Sequence, residues 1–382
     1  MKTRYDFDKS IDRRKTHSYK WDIPENELSF TVADTDFFVA DEIQEAIVNR
    51  AKDPTFGYTF VPNEYYDAYI YWWKHRYNTE YKREWFIFST SVVASLDSVI
   101  KRVSKVGDNI SVFAPNYNVF FNCINNNKRS VLGVPLSYQN HEYHIDWGML
   151  EEAIKNSVMF IHCNPHNPVG HQYTKEENKR IIELCKKYDT YLFSDEIHSD
   201  LDYNENRYNP VILSGSFSKL IIAHSPGKTF NLAGLHSSVL VIPDKELREL
   251  IEKGLGEDDV GEPSYFSIEP VIAAYTKCED YVNEENTYLA ENKRILSEFL
   301  RKNHLNLHII GGHATYLLWL DVSEYYKDSE KFKEEFEKKC GVVVLDGKHY
   351  HEHHSSFIRI NIATQRKNII HLCNALKEFL SK

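Results

Sequence analysis

The sequence predicts an α/β fold: a large domain in which helices sandwich a mostly parallel central sheet, followed by a smaller α+β domain. From the run FIFS to the run HSSVLVIP, short apolar stretches alternate with amphipathic helical ones, which is the βαβ order of a parallel sheet. A long amphipathic stretch over residues 284–303 then leads into a region where strands and helices mix. We therefore expect an N-terminal arm with part of the small domain (1–45), a large ligand-binding domain (46–285) and a small C-terminal domain (286–382).

The composition favours a globular protein with a small-molecule ligand. At 382 residues with 42% hydrophobic residues, the chain can bury a full core. Its net charge of -10 argues against a nucleic-acid partner, because phosphate backbones require a positive surface. No window reaches the roughly 18 apolar residues of a membrane span, and the first residues are too polar for a signal peptide, so we expect a cytoplasmic protein. Six cysteines without a CxxC pair indicate neither a zinc cluster nor a disulfide framework.

The first elements along the chain are an arm and two helices. The arm contains FTVADTDF (30–37) and leads into DEIQEAIVNRA (41–51), whose apolar residues have helical spacing. Gly57 and Pro62 mark a turn around Tyr58, and aromatic residues then recur at helical intervals. We predict that most of these aromatic side chains belong to the core.

A strand and a helix follow, with a possible anion site between them. The strand FIFS is followed by a turn at residues 89–91 and by a helix whose apolar face begins with Val92 and Val93. Free backbone N–H groups at the start of such a helix favour an anion, and a phosphate is the obvious candidate. Any small hydroxylated residue at a helix start gives the same pattern, so the pattern alone does not identify a ligand.

Three further strands end in polar side chains. The run ISVFAP places Tyr117 just past its end. The run VMFIHC is followed by NPHNPVG (164–170), whose two prolines and glycine form a rigid turn that fixes the position of Asn167. The run YLFSDEIHSDL places Asp195 and His198 at the next strand end.

The segment IIAHSPGKTFNLAGLH (221–236) brings Lys228 from the end of an apolar run into a turn of small residues. Charged residues are scarce around it, and an ammonium group partly removed from water without a nearby carboxylate has a lowered pKa. Such an amine is available as a nucleophile for a carbonyl compound. The alternative is a solvated loop lysine, which is the commoner situation for this residue type.

The rest of the chain mixes helices and strands. Residues 246–285 are helical in patches with a break at GEPSYFS, and the runs TYLLWL, GVVVL and FIRINIA have the composition of strands. The stretches SEKFKEEFEKKC and KNIIHLCNALKEFL are helical, and a capping box of Thr174 and Glu177 begins an earlier helix. Arg359 lies inside FIRINIA, where an arginine requires a partner, either a ligand or a protein acid.

The polar residues named above converge on one edge of the predicted sheet, where ligands of open α/β folds bind. The motifs NPHNPVG, SDEIH and SPGKTFNLAGL, in this order and at these separations, resemble fold-type I pyridoxal-phosphate enzymes. More narrowly, VADTDF, FGYT and DEIHSDL resemble the MalY/PatB family of cystathionine β-lyases and cysteine-S-conjugate β-lyases. The resemblance covers essentially the whole chain. It implies the fold-type I transferase fold, a pyridoxal 5′-phosphate cofactor and a homodimer with active sites at the subunit interface.

The resemblance also implies a role for each polar residue at the cofactor ring. Lys228 holds the cofactor aldehyde, is released by the substrate amine and then takes the Cα proton as a general base. Asp195 keeps the pyridine nitrogen protonated, so that the ring can accept the electrons of the carbanion. Asn167 donates to the phenolic oxygen and Tyr117 stacks on the ring face. His198 is a further neighbour of the cofactor, either in packing or in chemistry.

The resemblance assigns the remaining residues to binding of the phosphate and of the substrate. The resemblance assigns the phosphate to the amides of Val92 and Val93, to Ser225 and to Tyr58 of a second subunit. Arg359 binds the substrate carboxylate through its bidentate fork, and Ala33 of the VADTDF arm and Tyr58 border the substrate.

Four positions depart from the family pattern. Ser91 replaces the usual glycine before the two valines, and Gly227 replaces a frequent serine before the lysine. His236 stands where aminotransferases of the wider fold place a phosphate-binding arginine, so we expect a less cationic phosphate site. His171 follows NPVG where an arginine is common.

Other readings of these motifs are weaker. SPGKT is similar to a phosphate-loop motif, but that motif requires a glycine where this chain has Ile222. HYHEHH (349–354) could bind a metal, but the HExxH pattern fails at Ser355, and we interpret the segment as a polar loop with no metal site. A regulatory or binding protein on the same fold is the non-enzymatic alternative, and the presence of Lys228, Asp195 and Arg359 argues against it.

The main question is whether the chain is a lyase or an aminotransferase. Both reactions pass through the same Cα carbanion, and no single residue in the sequence decides between them. The family resemblance favours a carbon–sulfur β-lyase that converts an amino-acid thioether to a thiol, pyruvate and ammonia. Aminotransfer on an amino acid remains the alternative.

Overall fold

The predicted apolar runs form the strands of the protein in a computed structural model that describes residues 4–203, 208–311, 314–350 and 355–381. The strands are β1 Leu28–Ser29, β2 Phe86–Ser89, β3 Asn109–Ala114, β4 Ser130–Pro135, β5 Ser137–Gln139, β6 Glu142–His144, β7 Met159–Cys163, β8 Tyr191–Asp195, β9 Leu220–His224, β10 Ser238–Val241, β11 His308–Ile310, β12 Leu317–Asp321, β13 Val342–Val343, β14 Leu345–Asp346 and β15 Phe357–Asn361. The helices are α1 Asp41–Ala51, α2 Asn63–Tyr77, α3 Val92–Val103, α4 Asn118–Asn126, α5 Trp147–Lys155, α6 Lys175–Lys187, α7 Lys245–Glu257, α8 Glu269–Lys277, α9 Glu279–Lys302, α10 Ser329–Cys340 and α11 Arg366–Leu380.

The central sheet has seven strands in the order β2-β10-β9-β8-β7-β3-β4. Strands β9, β8, β7, β3 and β4 run parallel to one another, whereas β10 is antiparallel to both of its neighbours. Strands β2, β7 and β9 are buried along their whole length, as continuous apolar runs covered on both faces must be. The predicted mostly parallel sheet is therefore confirmed.

A second sheet is antiparallel, with the order β11-β12-β15-β14. The N-terminal arm joins this part of the chain, because β1 pairs in parallel with β13 and the carbonyl of Phe30 accepts from the N–H of Asn361 at 2.8 Å. Helices α10 and α11 pack beside these strands. Burial of Phe332, Phe336 and Leu376 fixes the two helices to one another and to the sheet.

Most aromatic residues of α2 lie in the core, as the sequence predicts, whereas Tyr71 is half exposed. Tyr65, Tyr69, Trp72 and Trp73 are all at most 1% exposed. The indole N–H of Trp72 donates to Asp200 at 3.0 Å, which satisfies the polar atom of a buried ring. Side chains of this size bury enough apolar area that truncation to alanine costs about 3–5 kcal/mol each.

Two parts of the chain differ from the sequence prediction. The helix predicted over residues 284–303 begins earlier, at Glu279, because Tyr281 and Val282 are buried and continue its apolar stripe. The sequence predicts no element between β3 and β7, where the structure has α4, the edge strand β4, a short hairpin of β5 and β6, and α5. The capping box of Thr174 and Glu177 at the start of α6 is present as predicted. Among the described residues, no helix is both long and apolar enough to cross a membrane.

Candidate active site

A cavity of about 740 Å³ opens at the carboxyl ends of β3, β7, β8 and β9. The order of these parallel strands brings together side chains that are far apart in the sequence. Ten of the predicted site residues line it: Ala33, Val92, Val93, Tyr117, Asn167, Asp195, His198, Ser225, Lys228 and Arg359. Tyr58 does not line it, and its side chain is fully exposed on the surface of this chain.

Lys228 lies at the floor of the cavity, and its ammonium group donates to the carbonyl of Ala33 at 2.7 Å. Burial and, to a smaller extent, the positive charge of Arg359 lower the pKa of Lys228 from 10.5 to about 8. The carboxylates of Asp34 and Asp195 oppose this shift but do not cancel it. At neutral pH about a tenth of Lys228 is therefore the free amine, far more than for a lysine of ordinary pKa, and the sparsely charged turn predicts this direction of the shift.

Asp195 ends β8 and is 5% exposed. Its carboxylate accepts from the N–H of Ile197 at 3.0 Å, and burial raises its pKa to about 6. Within the described ranges, no arginine or lysine forms an ion pair with it. A buried carboxylate with a single hydrogen bond and an open cavity beside it fits a ligand that presents a cationic N–H, such as a protonated pyridine ring.

Arg359 enters the cavity from β15, with 4% of its surface exposed. Its guanidinium donates to the carbonyl of Thr31 at 2.7 Å and to the amide oxygen of Asn167 at 3.3 Å. No carboxylate of the described chain pairs with it, and its Nε–H has no partner there. Neutral acceptors thus hold the guanidinium in position, and its charge is available for a ligand carboxylate. Because the oxygen of Asn167 faces Arg359, its amide N–H groups remain as donors for a ligand.

The anion cup lies at the start of α3. The hydroxyl of Ser91 caps the helix by accepting from the N–H of Ala94 at 3.1 Å, and the first helical amides, those of Val92 and Val93, have no partner within the helix. The hydroxyl of Ser225 donates to the carbonyl of Ser237 at 2.8 Å and accepts from the N–H of Gly227 at 3.1 Å. Ser225 can therefore donate to an anion only by giving up its bond to Ser237.

The cup is built without a cation. The cationic side chains among the described lining residues are those of Lys20, Lys228, Lys333 and Arg359. Lys228 shares its turn with Ser225, but its ammonium group donates to the carbonyl of Ala33, and the other three lie in segments that do not form the cup. His236 is exposed, has a left-handed backbone (φ 52°) and does not line the cavity. The expectation of a less cationic phosphate site agrees with this arrangement, in which backbone amides and hydroxyls provide the donors.

Two histidines singled out in the sequence differ in position. His198 is 3% exposed and lines the cavity, and burial holds its pKa well below 6.5, so it is neutral. His171 lies outside the cavity and pairs with Glu177 at 3.4 Å. Of the HYHEHH segment, His349 lines the cavity, whereas residues 351–354 lie outside the described residues.

Two asparagines that were not predicted as site residues fix the arm over the cavity. The side-chain amide of Asn361 donates to the carbonyls of Val32 and Asp34 at 2.6 and 2.7 Å. Asn231, in the lysine turn, exchanges two hydrogen bonds with the main chain of Thr35 at 3.0 and 3.2 Å. The only signal in the sequence is that each asparagine interrupts an apolar run.

Tyr316 was missed as well. Its buried hydroxyl donates to the carbonyl of Ala33 at 3.0 Å, so Ala33 accepts from both Tyr316 and Lys228. This shared acceptor fixes where the amine of Lys228 lies when it is not bonded to a ligand. A main-chain carbonyl carries no sequence signal, which is why the contact could not be predicted.

Comparison with known proteins agrees with this geometry. Residues 25–376 match the family model described as aminotransferase class I and II. The chain is 32% identical over 365 residues to cystathionine beta-lyase PatB of Bacillus subtilis, covering 93% of this chain and 94% of that protein. It also resembles a PLP-bound putative aminotransferase from Clostridium difficile 630, with TM-score 0.95 and 31% identity over 98% of this chain and 99% of the other. The PLP-bound C-S lyase from Staphylococcus hominis is similar with TM-score 0.93 and 29% identity, covering 100% of this chain and 99% of that one. The predicted fold-type I fold and the MalY/PatB resemblance are confirmed.

Proposed function

Because this chain belongs to the aminotransferase class I and II family, we propose that it is a pyridoxal-phosphate-dependent carbon–sulfur β-lyase. Its substrate is cystathionine or another cysteine S-conjugate, and its products are a thiol, pyruvate and ammonia. The observation that carries the proposal is one cavity that holds Lys228, Asp195, Asn167 and Arg359, in a chain 32% identical to an enzyme named cystathionine beta-lyase.

The cavity fits the cofactor at three points. Lys228 provides an amine of lowered pKa for the aldehyde, Asp195 provides a buried carboxylate for the ring nitrogen, and the start of α3 provides amides for the phosphate. Tyr117, the residue before α4 in the turn that follows β3, borders the cavity and can cover the ring face. Pyridoxal phosphate, when bound, supplies a conjugated ring that accepts the electron pair left on the substrate Cα.

Side chains of this protein bind the substrate and accept its Cα proton. The guanidinium of Arg359 binds the substrate carboxylate, which places the Cα–H bond beside Lys228. The amine of Lys228 would take the Cα proton, and its hydrogen bond to the carbonyl of Ala33 keeps it within the cavity. The carboxylate of Asp195 would stabilise a positive charge on the ring nitrogen of the bound cofactor. Departure of the thiolate from Cβ would complete the elimination and leave an aminoacrylate, which water hydrolyses to pyruvate and ammonia.

A first test separates the lyase from an aminotransferase. We expect the purified holoenzyme to form pyruvate and a free thiol from cystathionine or an S-alkyl cysteine without any keto acid, because elimination needs no amino-group acceptor. Pyruvate is measured by coupled reduction and thiol by a chromogenic disulfide. Aminotransfer has support in the resemblance to a putative aminotransferase, and turnover that requires added 2-oxoglutarate or pyruvate would establish it instead.

We further propose that the enzyme is a homodimer in which Tyr58 completes the site of the partner subunit. Tyr58 is fully exposed on this chain, and Phe56 and Phe60 beside it are 62% and 79% exposed, which is an apolar surface that a second copy can cover. A tyrosine hydroxyl from that copy adds a donor to a cup that has no cation. Loss of one hydrogen bond to a charged group corresponds to about a 10- to 100-fold loss of activity.

Mixed dimers test this arrangement. We expect Tyr58→Ala and Lys228→Ala proteins each to be impaired, and a mixture refolded together to regain activity. In the heterodimer, one site combines Lys228 of one chain with Tyr58 of the other and is complete. If Tyr58 acts within its own chain, no site in the mixture is complete and activity is not regained. Mixing each variant with itself is the control.

A further inference from the structure

The cavity extends beyond the residues that the cofactor and the amino-acid end of a substrate require. Its outer wall is formed on one side by Tyr19, Asp22 and Ile23 of the N-terminal arm, and on another by Lys333 of α10 and by His349. These residues lie where the far end of a thioether substrate, beyond its sulfur atom, has to be accommodated.

The arm side of this outer wall is held rigidly. Lys20 and Trp21 are buried, and both donate to the carboxylate of Asp36, at 2.9 and 2.7 Å. Asp22, the next residue along the chain, is exposed and lines the mouth of the cavity. A short helical turn (Tyr19–Trp21) fixes the backbone at this point, so the carboxylate of Asp22 is attached to a rigid element.

The opposite side is equally well anchored. Helix α10 buries Phe332 and Phe336 completely, which leaves Lys333 between them, half-buried and at the cavity. The hydroxyl of buried Ser329 accepts from the N–H of Gly347 at 3.1 Å and ties the start of α10 to the segment before His349. The ammonium group of Lys333 therefore also extends from a rigid element.

Both charges are available to a ligand. Within residues 4–203, 208–311, 314–350 and 355–381, neither Asp22 nor Lys333 forms an ion pair, with each other or with any other side chain. Lys20 is already paired with Asp36, and Lys228 and Arg359 belong to the inner site. His349 adds no charge at neutral pH, because burial and the nearby charges of Arg359 and Lys333 lower its pKa. An uncharged ligand end would partly desolvate both charges without pairing either.

We infer that Asp22 and Lys333 form a distal subsite that selects thioethers whose far end carries both an ammonium and a carboxylate group. The far half of cystathionine has this chemistry. The inference rests on the proposed lyase activity and adds a substrate class to it: α-amino-acid thioethers with a zwitterionic far end are preferred over S-alkyl cysteines.

A series of four substrates of similar length tests the subsite. Cystathionine carries both distal charges, S-(2-carboxyethyl)-cysteine only the negative one, S-(2-aminoethyl)-cysteine only the positive one, and S-propyl-cysteine neither. We expect Lys333→Met to lower kcat/KM about fivefold for cystathionine and the carboxyethyl compound, the size of one partly exposed ion pair. The aminoethyl and propyl compounds should change less than about twofold. Asp22→Asn should have the reverse pattern, with losses for cystathionine and the aminoethyl compound.

Binding measurements and a matched control complete the design. Dissociation constants of the four compounds, measured by calorimetry with cofactor-loaded Lys228→Ala protein, should show the same pattern without turnover. Lys331→Met changes an exposed lysine on the same helix and should alter none of the four values. Equal effects of Lys333→Met on all four compounds, or equal use of propyl and cystathionine substrates by the unchanged enzyme, overturn the subsite. Failure of the unchanged enzyme to cleave any of them would instead refute the lyase activity.

Discussion

Replacing Lys228 by alanine is expected to reduce the turnover of cystathionine at least about 10³-fold, because one side chain acts both as nucleophile and as base. The visible absorbance band of the lysine-bound cofactor should disappear in the same variant. Addition of a small primary amine should restore part of the activity, since it can take the Cα proton in place of Lys228. Lys245→Ala, at the exposed start of α7, is the control for loss of a lysine. Normal turnover by Lys228→Ala would contradict the assignment.

The lowered pKa of Lys228 also predicts how the rate of cofactor binding depends on pH. Below about 8 the ammonium form dominates, and above it the free amine does. The rate at which pyridoxal phosphate recombines with cofactor-free protein should therefore rise about tenfold per pH unit at low pH and level off above a pH of about 8. An ordinary lysine would produce a rise that continues toward 10.5. Stopped-flow absorbance measures the rate directly.

Asp195→Asn is expected to lower kcat/KM by at least about two orders of magnitude, which corresponds to about 3 kcal/mol for breaking a buried charge pair. The asparagine keeps the size of the side chain and removes the negative charge that the ring nitrogen requires. The absorbance of the bound cofactor should shift, because the ring nitrogen loses its proton. A purely structural effect of the substitution would leave this absorbance unchanged.

Glu196 provides the matched control for Asp195. It is the next residue, is also buried, and accepts from Ser194 and from the N–H of Val211 at 3.0 and 3.1 Å, but it does not line the cavity. Glu196→Gln should leave both the absorbance and the substrate specificity of the enzyme unchanged. Equal losses of activity in the two variants would indicate that Asp195 acts only in folding.

The inner part of the candidate site could be predicted because of the geometry of parallel sheets. Tyr117, Asn167, Asp195 and Lys228 each follow a strand end, and parallel strands bring such ends to one edge. The position of Arg359 could not be predicted in this way, because the residue belongs to the other sheet. The sequence pattern indicates only that Arg359 requires a partner. Its proposed role in binding the substrate carboxylate rests on the family resemblance. Its contacts with Thr31 and Asn167 depend on how two separate sheets are placed together.

What could not be predicted depends on contacts made by the main chain. The carbonyl of Ala33 accepts from Lys228 and Tyr316, yet alanine at this position gives no indication of it. Helix α4 begins directly after Tyr117 without a side-chain cap, so no start signal marks it. The proposed subsite at Asp22 and Lys333 likewise depends on the pairing of β1 with β13, the strand that follows α10, which neither segment encodes alone.

The arm over the cavity has a consequence for protein engineering. Residues 31–36 are bonded to the lysine turn through Asn231 and to β15 through Asn361 and Arg359. In each of these bonds the arm contributes a main-chain atom, and the side chain comes from the turn or from β15. A chimera that takes an arm of the same length and backbone path from a relative therefore keeps these bonds. Exchange of the turn or of β15 preserves the acceptor of Lys228 only if Asn231, Arg359 and Asn361 are retained.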